Sequence, residues 1–235
     1  MEFLNTILRF FQNGGPFMYP IALVLFIGLA ITIERWLVLT LARASNRKAF
    51  DQILPMLKRH DYNSVIKFGN STETPVARIL AAGMARMGDA RRREDIEYAM
   101  EEGVLESLPR LEKRTAYLAM LANISTLLGL LGTIIGLIAA FTAVANADPT
   151  EKATLLSQSI SLAMNTTAFG LIAAIPLLIF YSLLTTKTTE IVDSLEMAGV
   201  KCINMLFNPL EAEKAERATA AKTPKTKPTS NRQQS

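Results

Sequence analysis

Leu127-Leu128-Gly129-Leu130-Leu131-Gly132-Thr133-Ile134-Ile135-Gly136 lies inside a run from Thr115 to Ala147 that contains no charged side chain. As a helix rising about 1.5 Å per residue, that run spans about 50 Å, against a hydrocarbon core about 30 Å thick. Stepping by threes and fours, one face carries Ala122, Thr126, Gly129, Thr133, Gly136, Ala140 and Ala143. Helices in lipid gain little from burying leucine, so they associate where small residues admit close backbones and hydroxyls bond across. The stretch therefore reads as a membrane-spanning helix that touches other helices along its length.

Outward from it, charge vanishes from two further windows, Phe10–Ile33 and Ala153–Thr186. Half of the 235 residues are hydrophobic, but it is this clustering, not the average, that decides the class. No alternating strand pattern occurs, so the predicted fold is all-α, with transmembrane helices over 17–41, 115–147 and 153–186. Helices two and three are expected to extend into the cytoplasm. Residues 1–16, with Phe3, Leu4, Ile7, Leu8 and Phe11 at helical spacing, predict an amphipathic segment lying in the membrane interface. They lack the positive start and small-residue cleavage site of a removable signal peptide. Residues 42–114 form a charged helical region whose last part, Arg91–Arg114, reads as one amphipathic helix running on into the second span. A short turn over 148–152, a helix over 187–210 and a disordered tail over 211–235 complete the chain, the tail having no large apolar residue to bury.

Orientation follows from the basic residues. Of 25 Lys and Arg, 22 fall in residues 42–114 and 187–235, and the turn between spans two and three has only Lys152. The positive-inside rule then puts the N-terminus outside and both charged segments in the cytoplasm. A net charge of +4 is too small to argue for nucleic acid. Cys202 and His60 are each single, which excludes an internal disulfide and a thiolate or histidine metal cluster. An enzyme is not expected: there is no nucleophile–base pair and no phosphate loop, and Gly129, Gly132 and Gly136 stand at helix-packing spacing. The Arg91-Arg92-Arg93 and Glu101-Glu102 clusters read as solvated helix faces or pairs between subunits, with a weaker case for lipid headgroups.

The third window is unusual in its polarity. Its first half carries Ser157, Gln158, Ser159, Ser161, Asn165, Thr166 and Thr167, and its second half is apolar with Pro176 inside. Serine and threonine in spanning helices commonly bond their own helix or stitch a neighbour. Asparagine and glutamine are costlier, and such a cluster points to a wet or ion-lined seam. Ser159, Ala163, Thr167, Gly170 and Ala174 form a small-residue face that would bring Thr167 toward Thr133. No Asp, Glu, Lys, Arg or His lies centrally in any span. If ions cross, another polypeptide must supply the charge.

LLGLLGTIIG over 127–136, followed by Phe141, resembles the second-helix signature of the ExbB/TolQ/MotA family of ion-driven motor subunits. AMNTTAFGLIAAIP over 163–176 resembles that family's third-helix signature, and Thr32-Ile33-Glu34-Arg35-Trp36 looks like the first-helix exit of ExbB and TolQ. Three spans fit that branch rather than the four-span flagellar one. The resemblance implies a bacterial inner-membrane subunit, five copies surrounding a dimer of a single-span partner similar to ExbD, TolR or MotB. That partner would supply the ion-carrying Asp in the central pore, with lipid outside. Thr133 and Thr167 match threonines lining the family's ion path, with Thr166 and Asn165 beside them. Gly129, Gly132, Gly136, Gly170 and Pro176 would serve helix packing.

Two positions depart from the family. Leu162 stands where ExbB and TolQ usually carry Glu, and Thr126 stands where a Pro commonly opens the second-helix signature. The missing Glu speaks against a proton relay and the Thr166-Thr167 pair looks like the sodium-driven members, so Na⁺ bound near Thr133, Thr166 and Thr167 is the favoured transported ion and H⁺ the alternative. No cofactor is expected. A proton-driven energiser of outer-membrane transport and a non-conducting membrane scaffold are the competing functions.

Overall fold

The computed structural model describes residues 14–87, 93–145 and 147–207. The segments expected to be interfacial and disordered therefore lie mostly or wholly outside the described residues. Within them the chain is all-helical: α1 (Met18–Lys58), α2 (Tyr62–Ser71), α3 (Pro75–Arg86), α4 (Arg93–Glu112), α5 (Thr115–Ala145) and α6 (Lys152–Phe207). Three stretches, in α1, in α4–α5 and in α6, are long and apolar enough to cross a membrane. The helices divide between two compact units, one of Met1–Arg43 with Leu108–Ile191 and one of Ala44–Ser107 with Val192–Ser235.

The first unit is apolar outside as well as inside. Where α5 meets α6 its interior is small, with Ala122, Ser125, Gly129, Gly132, Gly136, Ala140, Ala163, Gly170, Ala173 and Ala174 buried, while Met18, Ile21, Leu39, Leu118, Leu177 and Leu184 fill the rest. Large apolar side chains such as Phe26, Leu127, Ile138, Phe141 and Met164 face outward, Phe141 at 66 % exposure. In water such a surface would aggregate; in lipid it is the expected arrangement.

One end of this unit is tied by charge. Glu34 pairs with Arg114, and the 97 % buried Arg35 donates through Nη2 to the Leu111 carbonyl. Lys187 Nζ sits 3.2 Å from the Trp36 ring centroid, and Arg43 meets Glu190 at 2.9 Å. Each contact joins the exit of α1 to α6 or to the α4–α5 junction. That junction is a break, not the continuous helix expected from sequence. Lys113 and Arg114 form a turn, with Arg114 at φ 64°. A left-handed residue cannot continue a right-handed helix.

At the other end α1 starts well inside the level reached by its neighbours. Thr166 Oγ1 bonds the Gly14 carbonyl at 2.7 Å, and a Cβ on Gly132 would lie 3.4 Å from Phe17 Cβ. Lys152, where α6 begins, precedes Thr166 by fourteen residues, about 21 Å of helix. Ser157, Gln158, Ser159 and Ser161 therefore belong to a stretch above the start of α1. From Phe17 to Glu34 the three helices run side by side for about 26 Å, close to a hydrocarbon core.

The second unit is built as a soluble bundle. Ile53, Leu57, Val65, Ile79, Leu80, Met100, Val104, Leu195 and Ile203 are buried, and the charges are outside. α1 ends with His60 at φ 56°, His60 N–H on Leu57 O and Asp61 N–H on Met56 O, a Schellman closure with histidine where glycine is customary. Asp61 then caps α2, accepting from Ser64 N–H at 3.2 Å and Ser64 O–H at 2.6 Å. α2 and α3 cross closely at Gly69, where a Cβ would lie 2.5 Å from Ala77 O. Pro75 opens α3, and Asn46 of α1 accepts the Val76 N–H at 3.3 Å, standing in for a cap that Thr74 does not make.

Candidate ion-path seam

The contact between α5 and α6 is set by residues too small to keep the backbones apart. A Cβ built on Gly129 would sit 3.3 Å from the Cα atoms of Gly170 and Thr167, and one on Gly170 only 2.8 Å from Ser125 O. A Cβ on Gly132 would meet Thr166 Cγ2 at 2.4 Å, and one on Gly136 would meet Ala163 Cβ at 2.9 Å. At each of Gly129, Gly132, Gly136 and Gly170 an added methyl would press on the facing helix. Pro176 lies within α6, where it removes the amide that Ile172 O would otherwise accept. The next residue, Leu177, fills the space that Gly28 leaves on α1.

Two hydroxyls bind the seam reciprocally. Ser125 Oγ on α5 donates to Gly170 O on α6 at 3.2 Å, and Thr167 Oγ1 on α6 donates to Gly129 O on α5 at 2.9 Å. Such bonds reach across helices only where glycine lets the backbones approach, which is the case at both acceptors. The Gly129 carbonyl is also the one that the helical ladder gives to the Thr133 amide.

The four predicted path residues separate into three environments. Thr167 is half-buried on the seam. Thr133 lies on its flank, its hydroxyl exposed and bonded back to Leu130 O at 2.6 Å, and the two threonines do not bond each other. Thr166 is 1 % exposed, and its hydroxyl is shared between Gly14 O at 2.7 Å and Leu162 O at 3.0 Å. It staples the chain ahead of α1 to α6. Asn165 is half-buried one residue before it. The seam thus presents hydroxyl and carbonyl oxygens, and no Asp, Glu, Lys, Arg or His lies among its described residues.

The small-residue face is rotated from the one expected. Ser125 and Gly132 point inward on α5, while Thr126 is exposed and bonds its own Ala122 O at 3.2 Å. Both faces have three-and-four spacing, so periodicity alone could not choose between them. The missed residue is Ser125. Its signal was the register Ala122-Ser125-Gly129-Gly132-Gly136-Ala140, which has one more glycine than the face built on Thr126 and Thr133.

These features define a helical membrane protein whose central seam is lined by hydroxyls and glycines. Residues 71–197 match the MotA/TolQ/ExbB proton channel family, and the chain belongs to that family of ion-driven motor and energiser subunits. It is 27 % identical over 199 residues to a biopolymer transport protein ExbB homolog of Methanothermobacter thermautotrophicus, covering 84 % of this chain and 69 % of that one. It is 36 % identical over 95 residues to the Tol-Pal system protein TolQ of Haemophilus influenzae, covering 40 % of each. The fold is similar to that of C. jejuni MotAB, with a TM-score of 0.59 over 92 % of this chain and 87 % of that chain at 15 % identity.

Proposed function

We propose that this chain is the ion-conducting subunit of an inner-membrane motor, five copies enclosing a dimer of a single-span ExbD/TolR/MotB-like partner. The observation that carries the reading is the Thr167–Gly129 bond: a hydroxyl and a carbonyl held together in a seam that has no charge of its own. An ion passing such a seam needs oxygen ligands from the chain and a negative charge from elsewhere, here the partner's membrane Asp. The basic 42–114 and 187–235 segments face the cytoplasm and the N-terminus faces outward. Each charge moved down 100 mV supplies about 2.3 kcal/mol, so several must pass for sizeable work.

Sodium is the favoured ion. Na⁺ must replace its water with several oxygens, and the chain offers Thr167 Oγ1 with the Gly129 carbonyl on the seam and Thr133 Oγ1 with the Leu130 carbonyl on its flank. Leu162, where relatives carry Glu, offers no proton relay. One observation favours protons instead: Thr166 is only 1 % exposed, its oxygen enclosed beside Gly14 O and Leu162 O, so it is closed off as a sodium ligand. Transport by the purified complex with its partner, at fixed pH with Na⁺ replaced by K⁺, separates the two. Activity that disappears in K⁺ supports sodium; unchanged activity supports protons. A complex that assembles and keeps full activity with both Thr133→Ala and Thr167→Ala is the scaffold of the competing reading.

A further inference from the structure

We propose that the charged unit (residues 44–107 and 192–207) docks copy to copy, the acidic outer face of α4 seating on the alanine–arginine face of α3 in the next copy. The inference rests on the homo-oligomer of the proposed function and deepens it by naming the surfaces that meet. On α4, Ile96, Ala99, Met100 and Val104 point into the bundle. At 100° per residue the opposite line carries Tyr98 and Leu105, which are 67 % and 61 % exposed. Glu94 and Glu101 flank that line on one side, Glu102 and Glu106 on the other. Glu97–Glu101 and Glu102–Glu106 are like-charge pairs four residues apart, which destabilise a helix on its own. Such a face is relieved by positive charge from outside it, and its two large side chains need a shallow apolar bed.

The outer face of α3 provides both. Arg78, Ala82, Ala85 and Arg86 are its exposed residues, two methyl-sized steps bracketed by guanidinium groups. Arg78 and Arg86 are about 12 Å apart along the helix, and Tyr98 and Leu105 about 10.5 Å, so the lengths agree. Within one copy the faces do not meet. α3 and α4 already pack through Ile79 against Gly103 and Gly83 against Met100, which turns Tyr98 and Leu105 away from α3. A second copy supplies the missing half. Because the two faces differ, the contact is head-to-tail, and repeated around an axis it closes a ring.

The test uses the full-length chain in lipid nanodiscs, with copies carrying Leu105→Cys mixed with differently tagged copies carrying Ala82→Cys. Cys202 is 0 % exposed and stays out of the reaction. Mild oxidation is expected to give disulfides joining the two tags. Glu101→Lys with Glu102→Lys lowers their yield about tenfold at low salt, and Arg78→Glu with Arg86→Glu on the other copy restores it. If native mass spectrometry finds the oligomer intact but no mixed disulfide forms, this interface is wrong while the oligomer stands. If the chain is monomeric, both fall. Cross-linking indifferent to charge reversal overturns the electrostatic basis of the contact. A basic protein that co-purifies, bound through Glu101 and Glu102, assigns the face to that protein instead.

Discussion

Thr167 and Gly129 are held 2.9 Å apart, hydroxyl to carbonyl, across the α5–α6 contact, while Ser125 and Gly170 make the same bond in the reverse sense. Two helices thus exchange hydroxyls for carbonyls at the point where both lack side chains. Cross-helix bonds of this kind are worth about 0.6–2 kcal/mol each. Their geometric effect is larger, because they fix the register of every oxygen along the seam.

Gly170→Ala tests that register. Its new methyl would lie 2.8 Å from Ser125 O and 3.0 Å from Gly129 Cα, both backbone atoms that cannot rotate away. The helices must separate, at a cost of about 1–3 kcal/mol. Thermal melting in detergent should show the loss, with Ser125→Ala falling by only about 0.6 kcal/mol.

Arg35 tests the charged end. Its guanidinium is buried, reaches the Leu111 carbonyl, and leaves Nε without a partner. Arg35→Ala should destabilise by about 1.5–3 kcal/mol, the range for a bond to a charged group. The neighbouring Glu34–Arg114 pair is about half exposed, so Glu34→Gln should cost no more than about 1 kcal/mol. A denaturant series on the two variants checks the order.

The α1–α2 turn carries a pH dependence. Bonds from the Ser64 side chain and amide hold the Asp61 carboxyl below the usual carboxylate range. A carboxyl with a lowered folded-state pKa stabilises above its unfolded pKa, and that stability is lost as pH falls through the folded value. The stability gap between wild type and Asp61→Ala should be full at pH 7 and shrink on acidification below about pH 4. His60→Gly should raise stability by up to about 1 kcal/mol, because glycine takes the left-handed φ without penalty.

Cys202 should be silent. It is buried in the second unit, and burial pushes its thiol up to about 12. Maleimide at pH 8 is expected to leave it unmodified in the folded chain and to label it quantitatively in denaturant.

Much of this was legible in the sequence because the membrane imposes long uniform windows. Charge-free runs gave the three spans, and the 127–136 and 163–176 stretches gave the family. What stayed hidden was rotational and longitudinal. Thr126 and Ser125 are both small and polar, and only packing against Gly170 selects Ser125. The Arg114 break has no glycine or proline to announce it. The depth at which α1 starts depends on the Thr166–Gly14 bond, which joins residues 152 positions apart. Thr166 looked like a path residue because it neighbours Thr167, yet consecutive helical residues point about 100° apart, and it turns to the chain ahead of α1 instead.

The most direct measurement is sodium uptake by the partner-bound complex in proteoliposomes under an imposed membrane potential, comparing wild type, Thr167→Ser and Thr167→Val. Uptake is expected to persist in Thr167→Ser, which keeps the hydroxyl on Gly129, and to fall at least about tenfold in Thr167→Val with assembly retained. Undiminished sodium uptake by an assembled Thr167→Val complex would contradict the claim that this seam carries the ion.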